Sequence, residues 1–224
     1  MPAVSYIIPV LTEQAGVALL LEGLRSRYPE AELIVIDGGS QDQTIARAMP
    51  LCDQLLLGSA GRATQMNLGG RVARGEYLCF LHADSQPGCS AQQLSSYFDK
   101  TPDWGFCRVR LSGRHPVFRL IEYCMNLRSR VTRIGTGDQM LFLRREVFQQ
   151  TGGFDDIPLM EDVAYCKRLR RIAPPLLVSE PVLTSSRRWE EQGVCATITK
   201  MWILRLAYFL GVSPRRLWHH YYAG

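Results

Sequence analysis

Residues 77–87 read YLCFLHADSQP and join an apolar, strand-like run to polar groups. Residues 77–81 favour a strand and run directly into His82, Ala83 and Asp84, before a turn that ends at Pro87. Three interpretations compete for a histidine and a carboxylate at this point. They are a capped strand end, a catalytic group, or a site for a metal ion and a diphosphate.

Three more apolar runs precede this strand, and helical patterns separate them. The runs at 4–8, 32–36 and 54–57 favour strands, with the first ended by Pro9. Residues 13–28 and 62–74 carry apolar or small side chains at helical spacing. Nearly continuous apolar strands that alternate with helices predict a parallel sheet covered on both faces. We therefore expect a doubly wound α/β half-domain.

After residue 100 the pattern becomes mixed α+β. It predicts strands at 104–111 and 139–143, helices at 116–133 and 160–171, two short β segments at 176–178 and 182–184, and C-terminal helices at 197–210 and 214–222. We expect one domain over 1–224, in which 1–100 form the nucleotide-binding half. The acceptor and catalytic half is expected at 101–193, and a helical appendage at 194–224.

The composition excludes several classes of protein. The chain of 224 residues is 46% apolar and 21% charged, as in an ordinary soluble domain. A net charge of +5 permits an anionic substrate or membrane surface but does not favour a nucleic-acid binder. The seven cysteines form no C-x-x-C pair, which argues against zinc ribbons and disulfide frameworks. With no signal peptide or transmembrane run, we expect a cytoplasmic protein, either free or at the inner face of the membrane.

Polar side chains follow all four strands predicted in the first half. They are Glu13, Asp37, Arg62 and the pair His82 and Asp84. Ligands of open parallel sheets bind beyond the carboxyl ends of the strands. A single aspartate at a strand end is most often a turn or helix cap. Polar groups after four different strands are harder to explain as caps, so they predict a ligand site.

The residue types at this edge suit a nucleotide. Asp37 precedes residues 38–40 (GGS), where the backbone can approach a ligand, and can accept from a ribose hydroxyl or a base N–H. Arg62 can bind phosphate or pair with a carboxylate. Asp84 can ligate Mg²⁺, with substrate phosphates completing the shell. A G-x-G-x-x-G turn, a P-loop and a G-x-S-x-G elbow are all absent from the sequence.

Two further clusters carry chemistry. Glu161 and Asp162 open a predicted helix, where they either complement the helix dipole or provide a general base. Arg187, Arg188 and Trp189 either bind phosphate and stack on a ring, or form a surface pair beside a buried indole.

Seven segments, taken in order, resemble the family 2 glycosyltransferases, which have the GT-A fold. The segments are SYIIPVLTE (5–13), LIVIDGGSQDQT (33–44), GRATQMNLGG (61–70), FLHADSQP (80–87), GTGDQMLFLRREVFQQTGGF (135–154), PLMEDV (158–163) and SSRRWEEQG (185–193). The combination of LHADS, PLMED and RRWEEQG looks most like the bacterial subgroup often called transferase 2.

The resemblance implies an inverting, metal-dependent transfer of a sugar from a nucleoside diphosphate donor, with Mg²⁺ or Mn²⁺. Asp37 matches the aspartate that contacts the nucleoside, and Asp84 matches the metal-binding last aspartate of the D-x-D motif. Asp162 matches the presumed base, with Glu161 as the alternative. The other positions assigned to donor binding by resemblance or location are Pro9, Glu13, Gly38, Arg62, Gln65, Asn67, His82, Ala83, Asp138, Gln139, Arg187, Arg188 and Trp189.

Two positions depart from the family pattern. Gly38 stands where a second aspartate often reads the base, and His82 replaces the first aspartate of D-x-D. Uridine preference therefore does not follow from the resemblance. Two alternatives stay open: a nucleotidyltransferase of similar fold, and a catalytically degenerate nucleotide-sugar-binding or scaffold protein.

The C-terminal segment is basic, aromatic and apolar. It forms either packed helices with a homodimer contact or a peripheral membrane contact that delivers a lipid-linked acceptor. In the membrane interpretation, Lys200, Arg205, Arg215 and Arg216 face lipid headgroups, while Trp202, Leu206, Phe209 and Trp218 enter the interface.

Overall fold

A computed structural model describes residues 3–222, except the side chains of Arg188, Gln192, Cys195 and Tyr222. Its first half alternates strands and helices as predicted. The elements are β1 (Val4–Val10), α1 (Val17–Arg27), β2 (Glu32–Asp37), α2 (Thr44–Ala48), β3 (Gln54–Leu57), α3 (Arg62–Val72) and β4 (Tyr77–Phe80).

The second half is mixed. Its elements are β5 (Ser85–Pro87), α4 (Ala91–Phe98), β6 (Trp104–Leu111), α5 (Pro116–Thr132), β7 (Leu141–Arg144), α6 (Arg145–Thr151), α7 (Glu161–Leu169), β8 (Leu176–Thr184), α8 (Arg187–Gln192), α9 (Val194–Phe209) and α10 (Pro214–Tyr222). Short 3₁₀ turns cover Met49–Leu51 and Gly137–Gln139. Within residues 3–222, no helix is long and apolar enough to cross a bilayer.

The described strands form one sheet of eight, in the order β3-β2-β1-β4-β7-β6-β8-β5. Strands β3, β2, β1 and β4 pair in parallel, so their carboxyl ends meet at one edge. Beyond β4 the sheet turns mixed, because β7 pairs antiparallel with both β4 and β6. This arrangement confirms the predicted α/β class, with a parallel first half and a mixed second half.

Helices cover both faces of the sheet because successive strand residues point to opposite sides. On β1, Tyr6 and Ile8 pack into a core that includes α1 and α4, whereas Ile7 packs into the core on the other face. That second core also takes residues of α3, α6 and α7, together with Leu204 of α9 and Leu217 of α10. The C-terminal helices therefore pack on the same domain core.

The prediction that Pro9 ends the first strand is wrong. The strand continues to Val10, and Pro9 and Val10 pair with Ile36 and Asp37 of β2. The pairing with β4 stops earlier, at Ile7. The missing N–H of Pro9 therefore interrupts no hydrogen-bonded ladder, which is where a strand tolerates proline.

Two other boundaries differ from the prediction. The first helix starts at Val17 rather than 13, because the backbone N–H groups of Gly16 and Val17 both donate to the carbonyl of Glu13 in a turn. The two β segments predicted at 176–178 and 182–184 are one strand, β8, which stays paired with β6 across a register shift at Cys107 and Arg108.

Candidate active site

Asp37 ends β2 at the carboxyl edge of the parallel strands and is almost fully buried. Its Oδ2 accepts the backbone N–H groups of Gly39 at 2.8 Å and Ser40 at 2.9 Å. Gly39 has a φ of +100°, a conformation in which glycine carries no Cβ penalty. Asp37 Oδ1 has no hydrogen-bond partner among the described residues. A buried carboxylate oxygen with free accepting capacity suits an N–H or O–H of a nucleoside.

The loops after β1 and β2 are tied together by side chains. Ser40 Oγ accepts the N–H of Thr12 at 2.8 Å, and Thr44 Oγ1 accepts that of Glu13 at 2.8 Å. Asp42 in turn accepts the N–H and the hydroxyl of Thr44. Glu13 therefore has a fixed position at the edge where Asp37 lies.

Glu13 and Asp84 lie close enough for their charges to interact. Burial raises the pKa of the Glu13 carboxyl, the charge of Asp84 raises it further, and Arg187 opposes the shift. Asp84 is exposed, and its carboxylate accepts a hydrogen bond from Ser85 Oγ at 3.2 Å. Two carboxylates beside a guanidinium offer oxygen ligands to a hard cation and a positive partner to phosphate.

His82 connects this edge to the second half of the domain. Its Nδ1 lies 3.6 Å from Asp138 Oδ1. The imidazole also lies against Gly137, where an added Cβ would come within 2.2 Å of Nε2. Gly137 therefore permits a close approach that no other residue allows.

Asp162 is fixed in the first turn of α7. Its Oδ2 accepts the N–H of Gly137 at 2.9 Å, and its Oδ1 accepts the N–H of Val163 at 2.7 Å. Both bonds leave lone pairs on the carboxylate, so the group can still accept a proton. Because Gly137 contacts both Asp162 and His82, the acidic pair and the LHADS segment are neighbours in the folded protein.

Glu161 points away from solvent and is 5% exposed. A small cavity of about 10 Å³ adjoins it, which is room for roughly one water molecule. The cavity walls are largely apolar and include Met66, Phe80 and Phe154. Burial, followed by the charge of Asp162, raises the pKa of Glu161 to about 7. Glu161 and Asp162 thus occupy different environments, although they are neighbours in sequence.

Three predicted donor-binding amides lie in the interior. Gln65 Nε2 donates to the carbonyls of Val10 and Ile36 at 2.9 and 2.7 Å, which clamps the ends of β1 and β2. Asn67 exchanges two hydrogen bonds of 2.8 Å with the backbone of Phe154.

Gln139, the third amide, accepts from Ser129 Oγ at 2.8 Å and donates to the carbonyl of Cys107 at 3.2 Å. The hydrogen bonds of Gln65, Asn67 and Gln139 therefore stabilise the interior beneath the candidate site. Direct contact of any of these three side chains with the donor stays a prediction.

The remaining predicted donor-binding residues are three small or apolar residues in the interior, Arg62, and the residues at the start of α8. Of the first three, Ala83 is buried in the core, Gly38 is buried against the Gln65 amide, and Pro9 is half-buried in β1. Arg62 opens α3, and its charge opposes the pKa rise of Glu161.

At the start of α8, Arg187 is exposed and lies near Glu13. The Trp189 ring packs with Leu111, Phe118 and Ile121. The side chain of Arg188 lies outside the described residues. Roles for these residues in donor binding remain predictions.

The sequence reasoning assigned neither of two arginines of this region to the site. Arg128 of α5 and Arg205 of α9 are both half-buried, and both interact electrostatically with Asp138 and Asp162. Residues 127–133 (LRSRVTR) contain several similar cations, so no local signal distinguishes Arg128. In the membrane interpretation Arg205 faces lipid headgroups; the residue is half-buried, and that placement stays a prediction.

The family of the chain follows from comparison with known proteins. Residues 5–151 match the profile described as glycosyl transferase family 2, so the chain belongs to this family. A comparison with curated protein sequences found no significant match.

Solved structures share the fold. S. aureus TarS 1-349 in complex with UDP has a TM-score of 0.68 at 16% identity, over 82% of this chain and 60% of TarS 1-349. A mannosyltransferase from Pyrobaculum calidifontis, PcManGT, in complex with GDP-Man and Mn²⁺, has a TM-score of 0.60 at 20% identity, over 82% and 56% of the two chains. The chain thus covers little more than half the length of these neighbours. The fold and family together define a glycosyltransferase domain of GT-A type.

The residues at the strand ends fit a divalent cation. Glu13 and Asp84 could supply carboxylate oxygens, the ligand type that hard cations prefer, and a diphosphate would supply more. Residues 3–222 contain no group of three or more His, Cys, Asp or Glu residues arranged to hold a metal ion by themselves.

Proposed function

We propose that this domain transfers a sugar, with inversion, from a nucleoside diphosphate sugar to an acceptor hydroxyl. Membership of glycosyl transferase family 2 supports a sugar-transfer reaction. The observation that carries the proposal is the contact of Gly137 with both His82 and Asp162. Through this contact, the strand-end segment that carries His82 and Asp84 lies beside Asp162, whose carboxylate is held by the N–H of Gly137.

In the proposed reaction, Asp37 and the loop after β2 bind the nucleoside through Oδ1 and the exposed backbone. Asp84 and Glu13 would hold the divalent cation that binds the diphosphate, and Arg187 stabilises negative charge on the leaving diphosphate. A bound Mg²⁺ or Mn²⁺ would act as a Lewis acid on the diphosphate oxygens.

Asp162 takes the proton from the acceptor hydroxyl, whose oxygen then forms the bond to the anomeric carbon. The bond from that carbon to the diphosphate oxygen breaks at the same time, and the diphosphate leaves with the bonding pair. The N–H of Gly137 holds the carboxylate in one orientation for this attack. Attack from the face opposite the leaving group inverts the anomeric configuration.

We further propose that the domain contacts a membrane, from which it takes its acceptor. Helix α9 exposes Trp202, Ile203, Leu206 and Phe209, followed by exposed Leu210, and helix α5 exposes Leu120, Tyr123, Leu127 and Val131. The exposed cations Arg130, Arg133, Arg215 and Arg216 follow or adjoin these faces, as at an anionic lipid surface. We therefore place the domain in the cytoplasm, at the inner face of the membrane, with a lipid-linked acceptor.

Flotation with vesicles tests the membrane contact. Vesicles that contain phosphatidylglycerol should retain the wild-type protein and release the variant Trp202→Ser, with Leu19→Ser as the exposed control on α1. A stable dimer without vesicle binding would instead assign these faces to a second copy.

The donor site is tested by calorimetric titration of UDP, GDP, CDP and dTDP, with Mn²⁺ and then with EDTA. One nucleotide should bind with Mn²⁺ and lose about tenfold or more in affinity in EDTA or in Asp84→Asn, because a charged ligand is removed. The variant Asp99→Asn, an exposed carboxylate after α4, is the control. Absence of binding to all four nucleotides would contradict the proposal. Release of pyrophosphate from a nucleoside triphosphate would instead indicate a nucleotidyltransferase.

A further inference from the structure

Asp84, which the proposed function assigns to the divalent cation, lies in a turn that is held by the end of β8. The N–H of Ser85 donates to the carbonyl of His82 at 3.1 Å, which closes the turn. The N–H of Ser185 donates to the carbonyl of Asp84 at 3.2 Å. In the antiparallel ladder between β5 and β8, Ser85 pairs with Thr184. The backbone of Asp84 is therefore fixed against a distant part of the chain.

Two hydroxyl groups lead from β8 to the Asp84 side chain. Ser85 Oγ lies 2.9 Å from Thr184 Oγ1 and 3.2 Å from Asp84 Oδ1, within hydrogen-bond geometry of both. Ser85 is 1% exposed and Thr184 is 3% exposed, so bulk water does not replace either hydroxyl. Asp84 itself is exposed. The two hydroxyl groups thus connect the interior of the sheet to a carboxylate at the surface of the candidate site.

The chemistry of the three groups gives these hydrogen bonds a direction. An ionised carboxylate accepts hydrogen bonds but does not donate them, and a hydroxyl has a single proton. A charged acceptor forms the stronger bond, so the Ser85 proton points to Asp84 Oδ1. The Thr184 hydroxyl then donates its own proton to Ser85 Oγ. Because a hydroxyl that accepts one hydrogen bond donates more strongly in the next, Thr184 strengthens the contact between Ser85 and Asp84.

The contact with Ser85 leaves the other oxygen of the carboxylate available. It engages Oδ1 of Asp84, whereas Oδ2 forms no hydrogen bond among the described residues. Carboxylates that bind metal ions are generally oriented by such hydrogen bonds from groups that do not touch the metal. An exposed aspartate without one exchanges among several rotamers. Ser85 therefore holds the Asp84 carboxylate in one orientation, with Oδ2 free for a cation.

Thr184 can set this orientation because its own position is fixed. Its carbonyl accepts the N–H of Ser112 at 3.0 Å, and it pairs with Leu111 of β6 on one side and Ser85 of β5 on the other. As a β-branched residue it has a restricted χ1 angle. The chain continues from Thr184 into α8, which begins at Arg187. The end of β8 thus supports both the carboxylate and the arginine that the proposed function assigns to the diphosphate.

We propose that Thr184 is a positioning residue that acts through Ser85 to orient the Asp84 carboxylate toward the divalent cation. The inference rests on the proposed function, because it concerns the cation that binds the diphosphate. Thr184 is buried behind Ser85 and does not itself contact the cation or the donor. Loss of its hydroxyl should therefore reduce the contribution of the cation to nucleotide affinity and leave the cation-independent part unchanged.

Calorimetric titration of the full chain with UDP, GDP, CDP and dTDP, each in Mn²⁺ and in EDTA, tests this role. The measured quantity is the ratio of nucleotide affinity in Mn²⁺ to that in EDTA. Thr184→Val, which replaces the hydroxyl with a methyl group, should lower this ratio by about fivefold, as expected for one lost hydrogen bond. Ser85→Ala should lower it similarly, whereas Thr184→Ser keeps the hydroxyl and should retain most of the ratio. The matched control is Thr197→Val, which removes a similarly buried hydroxyl that donates to the carbonyl of Gly193.

A double mutant separates positioning from a purely structural role. In the Asp84→Asn background, Thr184→Val should lower the ratio no further, because the charged group that Thr184 orients is gone. If Thr184 only stabilises the fold, Thr184→Val will lower the unfolding temperature and weaken nucleotide binding equally in Mn²⁺ and in EDTA, which would overturn the inference. A ratio lowered as much by Thr184→Ser or by Thr197→Val would overturn it as well.

The same titrations distinguish a failure of this inference from a failure of the proposed function. Nucleotide binding to wild-type protein that is equal in Mn²⁺ and in EDTA would refute the proposed cation site, and this inference with it. A Mn²⁺ effect that is lost in Asp84→Asn but unchanged in Thr184→Val would refute the positioning role alone and leave the proposed function standing.

Discussion

The carboxylates Asp37 and Asp162, one from each half of the candidate site, are held in different ways. In the donor half, Asp37 accepts from the backbone of Gly39 and Ser40, which lie two and three positions away. In the acceptor half, Asp162 accepts from the backbone of Gly137 across 25 positions. Local contacts leave a motif in the sequence, whereas long-range contacts do not.

The largest expected effect is that of Asp162→Asn, which tests whether the acceptor half carries the chemistry. The amide cannot take a proton, so the transfer rate should fall by about 1,000-fold while nucleotide affinity stays the same. Initial rates of sugar transfer and calorimetry on the same preparation check both. The control is Asp156→Asn, an exposed carboxylate in the loop before α7. Near-normal transfer would remove Asp162 from the role of base.

Gln65→Ala tests whether the donor half depends on the two hydrogen bonds by which Gln65 links the ends of β1 and β2. The substitution leaves the carbonyls of Val10 and Ile36 without the Gln65 donor, which should cost roughly 3–4 kcal/mol of unfolding free energy. Urea denaturation measures the loss, with the exposed Gln86→Ala as the control. A change below about 1 kcal/mol would mean that water replaces the amide at both carbonyls.

The pH dependence of stability tests the environment of Glu161. Its pKa rises from about 4.3 in the unfolded chain to about 7 in the folded protein. The folded state therefore binds the proton more tightly, and this stabilising contribution is complete below about pH 4. It decreases as the pH rises through about 7, by roughly 4 kcal/mol in total.

Urea denaturation between pH 5 and pH 8 measures this contribution. Glu161→Gln should flatten the decrease, because the amide stays neutral, whereas Glu22→Gln on the exposed face of α1 should not. An unchanged slope in Glu161→Gln would show that another group titrates in this range.

The smallest expected effects are the changes in stability on replacing one glycine from each half, Gly23 and Gly152, with alanine. Gly152 has a φ of +75°, and a Cβ added there would meet no atom within 4 Å, so Gly152→Ala should cost about 1 kcal/mol through backbone strain alone. Gly23 lies inside α1 with equally open space, and Gly23→Ala should stabilise the protein by about 0.5–1 kcal/mol. Thermal unfolding of the two variants should therefore shift in opposite directions, and a shared direction would contradict the assigned backbone conformations.

The fold was largely predictable because its strands are continuous apolar runs and its helices have regular spacing. β3 and β6 have the predicted bounds, and the parallel order of the first four strands follows from the alternation of strand and helix. Helix α4 was missed even though Ser90 and Gln93 form a capping box, which is visible as S-x-x-Q in the sequence. Strand β5 was missed because three residues are too few to show alternation.

The site was predictable only in part. The strand-end residues Glu13, Asp37 and Asp84 were found because the ends of parallel strands meet at one edge, wherever the chain goes next. The different environments of Glu161 and Asp162 were not predictable, because burial depends on how α7 packs against the sheet.

The α/β class, the family resemblance and the carboxylates at the strand ends could be predicted from the amino-acid sequence, because they follow from periodicity and from neighbours along the chain. The contact of Gly137 with both His82 and Asp162 arises only in the folded protein. It depends on how α7 and the turn at Gly137–Gln139 pack against the sheet. That packing involves many side chains at once, and no local pattern records it.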